Sequence, residues 1–201
     1  MQLHRTHVLD GAIAILDEYG LADLTMRRLA SSLSVQPGAL YWHFPNKQTL
    51  LGAVSDRILE PLDAPVAAQS WDEQITELAH RLRDALLSHR DGAELVSASL
   101  AARTTTSRAR RRFIAAALAA NMSRTEAELT ADTLLYYVLG HTVDEQARIQ
   151  LDSLGVLPEG DSPMFESPDP TSRFDFGLRL FVGGISEVLA GADPNRNRLA
   201  R

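Results

Sequence analysis

The sequence predicts an all-α protein: an N-terminal helix-turn-helix domain followed by a larger α-helical domain. Apolar residues recur at three- and four-residue spacing in segment after segment, and no stretch alternates apolar with polar residues as a half-buried strand does. The third observation is local. Residues 25–51, TMRRLASSLSVQPGALYWHFPNKQTLL, have the layout of two short helices joined by a tight turn and feeding a third.

Residues 5–19 read as an amphipathic helix with Val8, Ala12, Ile15 and Leu16 on one side, ended by Gly20. Thr25 is a good N-cap for a short helix in which Met26, Leu29, Ala30 and Leu33 make one apolar stripe. Ser34-Val35-Gln36 has room only for a turn. Pro37 suits the first position of the next helix, where a missing N–H costs little, and Gly38–His43 completes that helix. Asn46 caps a longer helix expected to reach about Leu62, with Pro61 and Pro65 kinking or stopping it.

Ser70-Trp71-Asp72-Glu73 is a capping box opening a helix to about His89, striped by Ile75, Leu78, Ala79, Leu82 and Leu86. Asp91-Gly92 breaks the chain before a short helix near Ala93–Ala101. Thr104-Thr105-Thr106-Ser107 offers caps for a helix through about Asn121. Ser123-Arg124-Thr125-Glu126 is a second capping box, opening a long helix to about Leu151. Residues 152–170 hold four prolines and five acids with no base, which predicts a mobile acidic loop. Phe174–Leu189 is a last helix with a wide apolar face, and a frayed tail is expected over 193–201. The expected organisation is a helix-turn-helix domain over 1–46, a linking helix over 47–66, and a larger helical domain over 67–192.

Composition narrows the function. The 201 residues are 45% hydrophobic and 23% charged, ordinary for a soluble globular protein with a real core. Without cysteine there is no disulfide, thiolate metal site or thiol nucleophile. No apolar run approaches the roughly 20 residues that span a bilayer, and the N-terminus does not read as a signal peptide, so a cytoplasmic location and no membrane partner are expected. A formal net charge of -6 argues at first against nucleic acid. Its distribution answers that: over residues 1–50 Arg5, Arg27, Arg28 and Lys47 balance Asp10, Asp17, Glu18 and Asp23, so the acidity lies elsewhere.

The second short helix is small where it begins and aromatic where it ends. Such a helix suits the major groove, because small residues let the backbone approach the bases while Tyr and His reach phosphates. The candidate DNA-binding residues are Thr25, Arg27, Arg28, Gln36, Pro37, Gly38, Ala39, Tyr41, Trp42, His43 and Lys47. Tyr41, His43 and Lys47 are expected at phosphates. Arg27 is the expected base reader, and Arg28 is the neighbour able to replace it.

Tyr41-Trp42-His43-Phe44-Pro45-Asn46-Lys47 followed by Leu50-Leu51 resembles the signature of the TetR family of bacterial transcriptional repressors, without a gap from Gly20-Leu21 through Leu51. Beyond the head, Ala85–Ala93 (ALLSHRDGA), Leu139-Gly140 with Asp144-Glu145-Gln146, and Phe176-Gly177-Leu178 with Gly183 are similar to the effector domain of the family's tetracycline-repressor branch. Residues 97–122 and the acidic loop match poorly. The resemblance implies a homodimer, formed by the long helix from Ser123 and the last helix from Thr171 in a four-helix bundle. It also implies a palindromic operator, released when a small-molecule effector moves the helix from Asn46.

That branch grips a drug–magnesium chelate, and here the residue-by-residue carry-over mostly fails. Val96 stands at the position of a metal-binding histidine and Asp63 at that of a drug-contacting histidine. Leu78 and Leu82 fall at further pocket contacts, and Asp144 matches an acid that serves the metal through water. One carboxylate does not hold magnesium, which takes octahedral oxygen ligation. The resemblance therefore implies an apolar or aromatic effector without metal or cofactor, in a pocket with Phe113 on its wall and Ser99, Arg103, Tyr136 and Asp144 as polar handles.

Rival readings stand beside this one. A tetracycline–magnesium or metal response is the alternative within the family; His141, Asp144 and Glu145, sharing one helical face, are half of a possible metal site. Arg108, Arg110, Arg111 and Arg112 read as a solvated helix face or a second nucleic-acid surface. No nucleophile elbow, phosphate-binding glycine loop or spaced catalytic dyad points to an enzyme, and adjacency of Ser88 and His89 does not aim one at the other.

Overall fold

The computed structural model describes residues 3–68, 70–158, 161–163 and 167–191. Among them are nine α-helices and no strand: α1 Arg5–Tyr19, α2 Met26–Ser32, α3 Pro37–Tyr41, α4 Lys47–Ile58, α5 Trp71–Leu87, α6 Gly92–Ala101, α7 Arg108–Ala119, α8 Arg124–Ser153 and α9 Pro170–Gly191, with a 3₁₀ turn at Glu60–Asp63. The tail over 193–201 and part of the acidic loop (159–160 and 164–166) lie outside the described residues. The chain divides into two compact units, Met1–Ala64 with Leu82–Arg108, and Pro65–Arg81 with Ala109–Arg201. The units interleave along the chain, and α5 gives its first turns to the second unit and its last to the first.

In the first unit, Val8, Ala12 and Leu16 of α1, Leu29 and Ala30 of α2, Leu40 of α3 and Phe44 are sealed into one core. The helix-turn-helix corner is made by hydrogen bonds. Ser34 takes the left-handed conformation (φ 54°), its N–H donates to the Ser31 carbonyl and the Val35 N–H to the Ala30 carbonyl. This is the double bond that usually ends a helix on glycine, here carried by serine. α3 ends at Tyr41, two residues short of the expected end, because the His43 and Phe44 N–H groups both fold back onto the Leu40 carbonyl ahead of Pro45.

Helix α4 stops at Ile58 rather than Leu62. Its continuation tightens into the 3₁₀ turn holding Pro61, which has no N–H to offer an α-helical ladder. Helix α4 lies close on α6: a Cβ at Gly52 would collide with the Thr104 carbonyl, and the buried Ser55 hydroxyl meets the Ser99 hydroxyl at 2.8 Å. The turn after α5 fastens the other end of the head. His89 Nδ1 is 3.0 Å from the Asp17 carboxylate, Arg90 donates to the Glu18 carbonyl, and the Leu21 N–H donates to Asp91 at 2.7 Å.

The threonines expected to cap α7 do other work, and α7 begins only at Arg108. The Thr104 hydroxyl satisfies the Ser99 carbonyl near the end of α6. Asp56 Oδ1 of α4 accepts from the Thr105 hydroxyl at 2.7 Å, the Thr106 hydroxyl at 2.8 Å and the Thr106 N–H at 2.9 Å.

In the second unit, Ala127, Ala131, Leu134, Leu135 and Val138 bury one stripe of α8, and Phe113, Ala116 and Ala117 bury α7. Phe174 of α9 is fully buried, stacked on Tyr137 of α8, whose hydroxyl donates to the Phe174 carbonyl at 2.6 Å. Gly177 is where the Tyr137 hydroxyl lies against α9; any Cβ there would strike it. α9 starts at Pro170, four residues before the apolar pattern begins at Phe174 and one before the Thr171 that the resemblance implied, because Asp169 accepts from the Ser172 N–H and hydroxyl and Pro170 takes the first position.

The capping box at Ser123 closes in both directions. The Ser123 side chain accepts from the Glu126 N–H and Glu126 accepts from the Ser123 N–H at 2.9 Å. Ser123→Ala should cost about 1 kcal/mol, read from the denaturant midpoint. The bonds to Ser123, side chain first and backbone second, hold the Glu126 carboxyl below the ordinary glutamate range. With the folded pKa depressed, that contribution is present above the unfolded value and lost as pH falls through the folded one. The stability gap between wild type and Glu126→Gln should shrink on acidification; a widening gap would contradict this assignment.

Candidate nucleic-acid interface

The helix-turn-helix presents one surface whose side chains have little to do inside the protein. Trp42, at the end of α3, is 91% exposed and Tyr41 is 48% exposed, the two aromatic residues placed there by the early end of the helix. Gln36 and Pro37 begin α3 in solvent, and Gly38 faces open space, leaving bare backbone on the outer side. Ala39 is half-buried. Thr25 is exposed and spends its hydroxyl as the N-cap of α2, accepting from the Arg28 N–H at 3.1 Å.

The two arginines of α2 differ. Arg28 is bonded to Asp23 and lies over the Tyr19 ring at 4.1 Å. Arg27 is exposed and makes no ion pair or side-chain hydrogen bond among the described residues. Lys47, first residue of α4, and the His43 side chain are half-buried at the surface and equally uncommitted. Arg5 is the residue the sequence reading left out. Its guanidinium donates to the His43 carbonyl at 2.7 Å and sits 4.0 Å above the Phe44 ring, tying α1 to the end of the recognition helix. Arg5 carried no motif signal; only the fold brings position 5 to position 43.

The residues expected to bind an effector are distributed over both units. In the first, Leu82 and Val96 are buried, Ser99 is buried against Ser55, Asp63 is exposed with Arg108 at 3.3 Å, and Arg103 is exposed in the left-handed conformation (φ 55°). In the second, Phe113 is fully buried. Leu78 lines a cavity of about 230 Å³ with Gln74, Arg112, Ala115, Pro65 and Val66. Tyr136 is 71% exposed, and Asp144 borders a cleft of about 30 Å³ with His141, Glu145 and Arg148.

The rival constellations are partnered in other ways. The Ser88 hydroxyl returns to the Ala85 carbonyl while His89 turns to Asp17, so the two do not form a nucleophile and base. Arg110 grips Asp132 through two bonds and Arg108 reaches the Asp56 carbonyl and Asp63, which takes half of the basic run out of reach of a second nucleic acid. His141 Nδ1 is 3.7 Å from buried Glu145, and its ring meets the edge of Phe174. Among the described residues no group of three or more His, Cys, Asp or Glu is arranged around a common metal position.

A helix-turn-helix with an exposed aromatic and cationic face, joined to a separate helical unit, defines a DNA-binding regulator. The family model described as "Bacterial regulatory proteins, tetR family" matches residues 8–54, and "Tetracyclin repressor-like, C-terminal domain" matches residues 64–159. The class E tetracycline repressor of Escherichia coli is 32% identical over 191 residues, covering 90% of each chain. Mycobacterium smegmatis BioQ has a TM-score of 0.84 at 50% identity, covering 92% of this chain and 99% of its own. A structure of BioQ with its double-stranded DNA operator has a TM-score of 0.76 at 48% identity, covering 92% and 98%. TetR-Q116A of Acinetobacter baumannii AYE in complex with minocycline has a TM-score of 0.75 at 28% identity, covering 94% and 99%. The chain belongs to the tetR family of bacterial regulatory proteins.

Arg27→Ala should relax preference at one base pair in each half-site, by roughly 1–3 kcal/mol, whereas Arg28→Ala should act first on the stability of the head. Lys47→Ala should weaken specific and nonspecific duplexes alike and reduce the salt slope by about 1. Binding titrations over operator variants and salt concentrations read both; uniform loss across all variants in Arg27→Ala would reassign that residue to phosphate.

Proposed function

We propose that the protein is a transcriptional repressor that binds a palindromic operator as a homodimer and is released by a small apolar or aromatic molecule. The observation that carries the DNA reading is the uncommitted face made by Arg27, Gly38, Tyr41, Trp42 and Lys47. The BioQ–operator structure supports it by likeness over nearly the whole chain. The function is regulatory and not enzymatic, and it is exercised in the cytoplasm, where the operator is. Selection of bound duplexes from a random library, followed by mobility shift, tests it directly. A palindrome with half-sites about one helical turn apart (34–36 Å) is the expected product, and failure to enrich any duplex would reject the reading.

The dimer reading rests on the second unit. α8 and α9 border an apolar groove of about 610 Å³, lined among others by Leu129, Tyr137, Leu180, Phe181 and Val188, with Leu129 and Leu180 each 63% exposed. A second copy packing there would bury this surface. Asp placed at Phe181 or Leu180, which both line the groove, would put an unpaired charge into that contact, at a cost of several kcal/mol. Light scattering should report monomer or aggregate, with operator affinity lost; an intact dimer in both variants would move the interface elsewhere.

The effector reading is apolar and metal-free. The minocycline complex supports a ligand-binding role for this domain by likeness. Val96 and Leu82, both fully buried in the first unit, support an apolar lining that offers no ligand atoms to offset the desolvation of a chelated cation. Tetracycline with magnesium, titrated against the repressor–operator complex, should leave the DNA bound. Release at micromolar drug that a chelator abolishes would restore the metal-dependent alternative.

A further inference from the structure

We propose that Asp56 is a positioning residue for regulation: through it, the segment Arg103–Ser107 grips the linking helix α4 and sets where α4 holds the recognition helix. The inference rests on the regulatory reading above and names the contact through which that regulation passes in this chain.

The geometry is concentrated on one atom. Asp56 Oδ1 accepts three hydrogen bonds, from the Thr105 hydroxyl, the Thr106 hydroxyl and the Thr106 N–H, all between 2.7 and 2.9 Å. Bonds to a carboxylate are the stronger kind. Arg108, the first residue of α7, adds a bond to the Asp56 carbonyl at 3.2 Å and an ion pair with Asp63 at 3.3 Å, beyond the end of α4. One turn earlier, Gly52 lets the Thr104 carbonyl approach the α4 backbone more closely than any side chain would permit. The segment therefore holds α4 at Gly52, at Asp56 and past its C-terminus.

The segment also has a defined conformation at both ends. Arg103 (φ 55°) and Ser107 (φ 55°) are both left-handed, and neither is glycine. Such residues persist where surrounding contacts over-determine them. At Arg103 the constraint is the end of α6 itself, where the Arg103 N–H donates to the Leu100 carbonyl and the Thr104 N–H to the Ser99 carbonyl. The bonds to Asp56 lie between the two left-handed residues and join the segment so fixed to α4. The segment is covalently continuous with α6 on one side and α7 on the other.

Linkage makes this testable without the effector in hand, because a coupling that transmits effector binding to the head must transmit operator binding back. The experiment is hydrogen–deuterium exchange of the full-length protein, with and without an operator duplex selected by the protein itself. Exchange over 103–107 should change by roughly fivefold or more on operator binding, the lower end of typical coupling. Protection of residues 26–47 reports binding in the same sample. In Asp56→Ala the change over 103–107 should vanish while protection of 26–47 remains, and Asp56→Asn, which keeps an accepting oxygen, should restore part of it. Thr105→Val combined with Thr106→Val should repeat the Asp56→Ala result, and serves if Asp56→Ala does not fold. A grip that only stabilised the fold would leave 103–107 indifferent to operator in the wild type, and that result overturns the proposal. So does a change that persists in the variants. Absence of protection over 26–47 in the wild type would overturn the DNA-binding reading itself, and this inference with it.

Discussion

Helix α4 has to serve two neighbours at once, and the first unit is organised by that constraint. Leu50 and Val54 are buried in the core that carries the recognition helix, and Arg57 reaches Asp10 of α1. Gly52, Ser55 and Asp56 face the other way, to α6 and the segment after it. A helix of 12 residues has few positions to divide between two partners. Small and polar residues on the α6 side permit close approach and directional bonds where larger apolar residues would have held the helices apart. The buried hydroxyl pair Ser55–Ser99 fits this economy: each polar group is satisfied, so the contact has direction without the penalty of an unpaired group.

The charge of the head follows the same logic. Three of its four acids are paired within the unit: Asp10 with Arg57, Asp17 with His89, Asp23 with Arg28. Arg27 and Lys47 are not. A segment whose formal charges cancel in sequence therefore still presents uncommitted cations at its surface, because most of its acids are paired with bases. The acidic total of the protein says nothing against DNA once this arrangement is known.

Helical periodicity made the elements legible, and the errors in the sequence reading are instructive. The bounds of α1, α6 and α8 followed from apolar spacing and from Ser123, because those signals are local and nothing distant competes for them. The start of α7 right after Ser107 lies within the run of caps the sequence offers; what the sequence hid is that Asp56, far along the chain, recruits Thr105 and Thr106. The start of α9 was legible in principle: Asp169-Pro170 with Ser172 is the same cap logic used for Pro37, obscured by its place in a proline-rich acidic stretch. At the DNA-facing surface, residue types named the candidates, but only the fold separated Arg27 from Arg28 and brought Arg5 under His43. The effector residues were read through resemblance alone, and their dispersal across two interleaved units has no counterpart in linear spacing.

Trp42 adds little to the stability of the free protein, because nine-tenths of its surface remains in water. An indole in that position is apolar area held in reserve. Whatever covers it gains a hydrophobic contribution the folded chain has not already used, alongside the electrostatic one from the cations around it. In the proposed operator complex, removal of that area from water carries a negative heat-capacity change, so the enthalpy of binding becomes more favourable as temperature rises and the entropy less so. Salt screens the cationic part of the interaction and leaves the indole part nearly untouched. On the proposed reading, the same few residues give the contact with DNA two independent controls, one set by ionic strength and one by temperature.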